Sequence, residues 1–228
     1  MSSDTGRPGG DAPPVAARAW SGGGREELAA AVRSLMAATV DAMASPEVLG
    51  DATSRVAALA AELEAYVPDV GPIPRNWSPD GTIDRKDPAI LANRMPFDMV
   101  VGACNPMSPP ITLEAQPPKA LGHTVFGAPF EGAPGCVHGA ALAAAFDIIL
   151  TAANLVAEAA GPTVTLSISY LKPTKIGVPC LFESWVTSIE GRRTHSHGHL
   201  IQDGVVTVEA EGEFRKMDPD RIASMHRR

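Results

Sequence analysis

Residues 132–157 read GAPGCVHGAALAAAFDIILTAANLVA and contain a single formally charged side chain, Asp147. The stretch predicts one long helix, roughly His138–Ala159, stopped by Gly161-Pro162. A helix apolar on all sides is buried on all sides, so the rest of the fold should enclose this one. A carboxylate in that setting must find hydrogen bonds or give up its charge, because burying an unpartnered charge is costly. Two readings of Asp147 follow. It is a structural acid that caps a loop or pairs with a distant cation, or it is a reactive group.

Two neighbours bear on the choice. Thr151 lies one helical turn after Asp147 on the same face. Its hydroxyl either holds a water beside the carboxylate or bonds its own backbone carbonyl four residues back. At the helix entry, Gly135-Cys136-Val137-His138-Gly139 places small residues where the first N–H groups lack helical partners. Gly139 removes the side chain that would keep a ligand away from them. Gly139 and Asp147 are eight residues apart, about 12 Å along a helix axis. Donor and carboxylate of one helix therefore cannot act on one atom. Cooperation requires two antiparallel helices related by a two-fold axis.

Outward from the helix, the C-terminal side is a run of strands. These are Thr163–Leu171, Pro179–Ile189, Thr194–Gln202 and Val205–Arg215, the last two joined by the tight turn Asp203-Gly204. On the N-terminal side, Ile111–Glu114 and Leu121–Phe126 read as short strands. The expected class is α+β, an antiparallel sheet wrapped around one central helix. Residues 24–66 add two amphipathic stretches, with Leu28, Val32, Leu35 and Val40 on one stripe and Val56, Leu59 and Leu63 on the other. Together they suggest a helical hairpin. Residues 1–23 and 218–228 read as tails, the first Gly/Pro/Ser-rich and disordered, and Pro-rich 67–96 as a linker or arm.

Bulk properties narrow the function. Hydrophobic residues make up 45% of the 228, enough for a packed core. A net charge of −7 argues against nucleic acid or an anionic membrane surface as the main partner. Three cysteines without close pairs make neither a disulfide framework nor a zinc motif. The opening MSSDTGRPGGDAPP has no cationic start followed by an apolar run, so a cytoplasmic protein is expected. Residues 139–157 are long enough to span a bilayer, but Asp147 sits mid-span and basic flanks are missing, so membrane insertion is not expected. His195, His197 and His199 alternate along one strand and share a face. They read as polar residues on an exposed sheet face, and no metal is expected.

Gly-Ala-Pro-Gly-Cys-Val-His138-Gly139, Asp147 nine residues after the His, and Thr163-Val-Thr-Leu-Ser-Ile-Ser-Tyr-Leu-Lys-Pro173 together resemble the PaaI-like acyl-CoA thioesterases of the hotdog superfamily. Gly191-Arg192, Asp203-Gly204 and a final Ala-Glu-Gly-Glu-Phe strand fit as well, and the likeness covers about 97–216. The resemblance implies hydrolysis of an acyl-CoA by a homodimer, or by a tetramer made of two such dimers, with coenzyme A as part of the substrate and no separate cofactor. It assigns the oxyanion donor to the Gly139 N–H beside His138, the base or nucleophile to Asp147 of the facing subunit, and assistance to Thr163 or Thr151. Substrate contacts fall to Asn105 in an Asn-Pro lead-in, to Ala140, and to the cations Lys172, Lys175, Arg192 and Arg193. The family writes His-Gly-Gly where this chain has His138-Gly139-Ala140. Ala140 keeps the N–H but adds a methyl at the mouth of the site. Two alternatives stand beside hydrolysis. One is a non-catalytic acyl-CoA binder. The other is a hydratase, whose branch places a His five residues after the acid, where this chain has Ala152.

Overall fold

The long helix forms as expected, as α4 (Gly139–Val156). A computed structural model of the protein describes residues 24–67, 88–109 and 111–216. The two expected tails lie outside the described residues, as does most of the expected linker.

Six strands enclose α4: β1 (Thr112–Gln116), β2 (Lys119–Val125), β3 (Thr163–Tyr170), β4 (Pro179–Glu190), β5 (Arg193–Gln202) and β6 (Val205–Arg215). Their order is β1-β2-β4-β5-β6-β3, antiparallel at every pairing. This is the hotdog arrangement. The Asp203-Gly204 hairpin forms as the sequence suggested, with Gln202 opposite Val205.

The sheet-facing side of α4 explains the architecture. Leu142, Ala145, Phe146, Ile149, Leu150 and Ala153 are fully or almost fully buried and pack on Phe182, Leu200, Val208 and Phe214. Small residues in the strands let the helix settle close to them. A Cβ on Gly122 would stand 2.2 Å from Ile149 Cδ1, and one on Gly212 would be 3.0 Å from Leu150 Cδ1. Polar groups on the inner face anchor the C-terminal half of α4. Ser184 Oγ donates to the Ile149 carbonyl at 2.8 Å, and Ser196 Oγ donates to Asn154 Oδ1. By length and hydropathy α4 could cross a membrane; half of it is instead buried inside this domain.

The N-terminal region departs from expectation in two ways. Helices α1 (Arg25–Asp41) and α2 (Pro46–Glu64) form, but they do not pack as a hairpin. α1 docks on the 3-10 turn Ala128–Phe130, burying Ala29, and Arg33 Nη1 donates to the carbonyls of Ala103 and Asn105 at 3.2 and 3.0 Å. α2 buries none of its residues. The Ser45-Pro46 break separates the two helices, and Ser45 Oγ accepts from Val48 N–H as the cap of α2. Second, the domain begins before 97. A short helix α3 (Ala89–Arg94) reaches into the core, with Leu91 2% and Met95 7% exposed. Proline density hid it, because Pro88 stands at the helix start, where proline is tolerated.

Strand β3 is one edge of the sheet, eight residues long and mostly exposed.

Candidate active site

The helix entry is held from several sides. Val137 N–H donates to the Thr174 carbonyl and His138 N–H to the Phe130 carbonyl, both at 2.8 Å. His138 is the N-cap, and its Nδ1 accepts from Ala140 N–H at 3.0 Å. That bond fixes the ring's proton on Nε2. The His138 carbonyl takes the N–H groups of Ala141 and Leu142 at 3.0 and 3.3 Å. Of the four N–H groups that open the helix, three are thereby occupied. Among the described residues the Gly139 N–H has no partner. It is a single donor at the positive end of the helix dipole, beside a residue without a side chain. His138 thus shapes the turn through its cap.

Asp147 is half-buried, and its Oδ1 accepts from Thr163 Oγ1 at 2.6 Å. The hydroxyl at the start of β3 therefore orients the carboxylate and leaves Oδ2 open. Thr151 behaves differently. Its Oγ1 donates to the Asp147 carbonyl at 2.8 Å, so it takes the backbone alternative. The expectation of a helix buried on every side needs correction. Ala140 is exposed, and Ala143, Ala144, Asp147 and Thr151 are half-buried, so one stripe of small residues around Asp147 is open in the single chain. The sheet covers the opposite side only.

Within the chain, Gly139 and Asp147 remain eight residues apart on one straight element, about 12 Å, and are not brought together. Lys172 and Lys175 lie at the α4 N-terminal end, where Lys175 bridges to Cys136, and both are exposed. Arg192 and Arg193 sit at the other end of the sheet. Arg192 bonds the Lys216 carbonyl at 3.4 Å, and Arg193 Nε lies 3.4 Å from Glu213 Oε1. The four cations do not form one cluster. Asn105 is tied into its own loop. Its Nδ2 donates to the Phe97 carbonyl and its Oδ1 accepts from Met107 N–H, both at 2.9 Å. Ala140 points its methyl to solvent while its N–H is taken by His138.

Residues 134–209, the segment holding Gly139, Asp147 and Thr163, match the family model described as the thioesterase superfamily. In this part the chain is similar to the thioesterase superfamily. A solved structure described as a thioesterase superfamily protein is 27% identical, covering 83% of this chain and 94% of its own, with a TM-score of 0.71. That likeness reaches far outside 134–209. Acyl-coenzyme A thioesterase THEM4 of Mus musculus is 31% identical over 97 residues, 42% of this chain. The chain spans 42% of that relative's length.

One residue at the site carries no signal in the sequence. Tyr170, at the end of β3, donates its hydroxyl to the Gly139 carbonyl at 2.9 Å. A Cβ on Gly139 would stand 3.1 Å from that oxygen, so the phenol and a side chain at 139 compete for space. Nothing in the spacing from 139 to 170 signals the contact; the turn after α4 creates it.

Proposed function

We propose that this chain is an acyl-CoA thioesterase that works as a homodimer, with the Gly139 N–H of one subunit and Asp147 of the other acting on one thioester. The observation that carries the proposal is the pairing of an oriented carboxylate, Asp147 held by Thr163, with an unspent N–H at Gly139 of the same type of helix. The likeness to an acyl-coenzyme A thioesterase supports the substrate class.

Two further features favour the two-fold assembly. β3 is an exposed edge with a free row of backbone groups, which invites pairing with another strand. The open stripe Ala140, Ala143, Ala144 and Asp147 has side chains small enough for a second α4 to approach closely. If β3 pairs with its copy and the α4 stripes face each other antiparallel, each Asp147 moves toward the other subunit's Gly139. Both requirements derived from the 12 Å spacing are then met at once.

In the reaction, the Gly139 N–H takes the charge that develops on the thioester oxygen, aided by the helix dipole behind it. Asp147 Oδ2 accepts a proton from water as its oxygen bonds to the acyl carbon. The C–S bond breaks, the CoA thiolate leaves, and the proton from Asp147 neutralises it. The carboxylate attacking directly, with water opening the resulting anhydride, is the covalent variant of the same geometry. Lys172 and Lys175 flank the helix entry and are positioned for the CoA phosphates.

A thiol-release assay over a panel of acyl-CoAs tests the proposal. Turnover of at least one acyl-CoA that is abolished in Asp147→Asn supports it. Binding of acyl-CoA without thiol release would make the chain a binder, and water addition to crotonyl-CoA would make it a hydratase.

A further inference from the structure

The face of the sheet turned away from α4 carries a second cluster that thioester hydrolysis leaves unused. His197 and His199 of β5 alternate with the buried Ser196, Gly198 and Leu200, so both project outward. Their Nε2 atoms are 2.9 Å apart. Glu209 is the cross-strand partner of His199, and its Oε1 lies 3.5 Å from His199 Nε2. One ligand atom from each of the three residues falls within 4.8 Å of the others. Trp185 packs against both rings, at centroid distances of 5.1 and 5.2 Å, which restrains their rotation.

Spacing decides between an ordinary polar face and a metal site. A tetrahedral ion with bonds of about 2.0–2.1 Å needs ligand atoms about 3.4 Å apart. The observed 2.9 and 3.5 Å bracket that distance, and the third pair, His197 and Glu209, lies within 4.8 Å, so a turn of the Glu209 side chain brings all three onto one ion. The partners set the tautomer. Glu211, opposite His197, places Oε1 3.6 Å from His197 Nδ1. A carboxylate there favours the proton on Nδ1 and leaves the Nε2 lone pair facing His199 and Glu209, the carboxylate–histidine arrangement that orients metal ligands. Two imidazoles and one carboxylate suit Zn²⁺, Ni²⁺ or Cu²⁺ and not the all-oxygen shells of Ca²⁺ or Mg²⁺.

We propose that His197, His199 and Glu209 form a transition-metal site of the Zn²⁺ type on the outer sheet face, with Glu211 orienting His197 and water in the fourth position. A concavity of about 470 Å³, lined by His195, His197, Glu211 and Glu213 among others, adjoins the cluster and gives an ion access. The site lies across the sheet from Asp147 and does not depend on the hydrolase reading.

The test uses the full chain without an affinity tag, stripped with a chelator and titrated with Co²⁺ by visible absorption and with Zn²⁺ by calorimetry. One ion per chain and a tetrahedral Co²⁺ spectrum are expected. His199→Ala and His197→Ala should each weaken Zn²⁺ binding by more than about 100-fold, Glu211→Gln by about 10- to 100-fold, and Asp147→Asn not at all. Circular dichroism melts confirm that each variant folds, and Glu209→Gln replaces any His variant that does not. Absence of stoichiometric binding, or equal binding in wild type and in the folded ligand variants, overturns the proposal.

Discussion

The two sides of α4 are made of similar residues and do different work. The side facing the sheet holds Leu142, Phe146, Ile149 and Leu150, all at most 2% exposed. The other side holds Ala140, Ala143, Ala144 and Thr151 around Asp147, and the single chain leaves it partly open. Large side chains fill the space under the sheet, and methyls leave room for something to approach. The lesson is that helix composition can show which face is packed within the chain. A uniformly apolar helix can still keep one face for a partner, and size is then a better guide than hydropathy.

Four substitutions sharpen or break this contrast. Asp147→Asn, on the open side, should reduce kcat by roughly 10²- to 10⁴-fold, the range for loss of a positioned base. Its melting temperature should stay near wild type, as read by steady-state thiol release and a thermal melt. Phe146→Ala, one residue away but under the sheet beside Phe182, should cost about 3–5 kcal/mol of stability in urea unfolding. Folded molecules of that variant should keep most of their activity. If Phe146→Ala instead abolished turnover in folded protein, the division between the two sides would fail. Thr163→Val removes the 2.6 Å hydrogen bond to the carboxylate. It should lower kcat about tenfold, equivalent to about 1.4 kcal/mol, with little change in KM. Thr151→Val should be the mildest, within about twofold in kcat, because its hydroxyl is spent on the Asp147 carbonyl. A larger effect there would return Thr151 to the chemistry.

Much of this was legible in the sequence, for identifiable reasons. The helix and the run of strands after it follow from local patterns: an apolar run with one acid, a Gly-rich entry, and an Asp-Gly turn. The Thr163 contact was reachable only through resemblance, since no spacing rule joins a strand start to a carboxylate 16 residues earlier. The loop contacts of Asn105 were not legible, since no local pattern announces that its amide closes the loop on Phe97 and Met107. The helical hairpin failed for a related reason. Amphipathic stripes on α1 and α2 say that each wants a cover, and they do not say which surface supplies it. The histidine stripe was seen on the right face, but ring-to-ring distances are invisible in a sequence.

The central claim is that Gly139 and Asp147 act together across two subunits. A mixing experiment tests it directly. Gly139→Pro removes the donor N–H and keeps the helix start, since proline is tolerated at the first helical position and His138 already has the extended backbone that must precede it (φ −64°, ψ 134°); its ring also presses on the Tyr170 hydroxyl, 3.1 Å from a Cβ at 139, so a thermal melt accompanies the assay. Gly139→Pro and Asp147→Asn should each be inactive alone. Refolded together in equal amounts, half of the dimers are mixed, and each mixed dimer has one intact site. Thiol release should then recover to about a quarter of wild type. No recovery, with mixed dimers shown to form, would place donor and carboxylate in one chain and contradict the account.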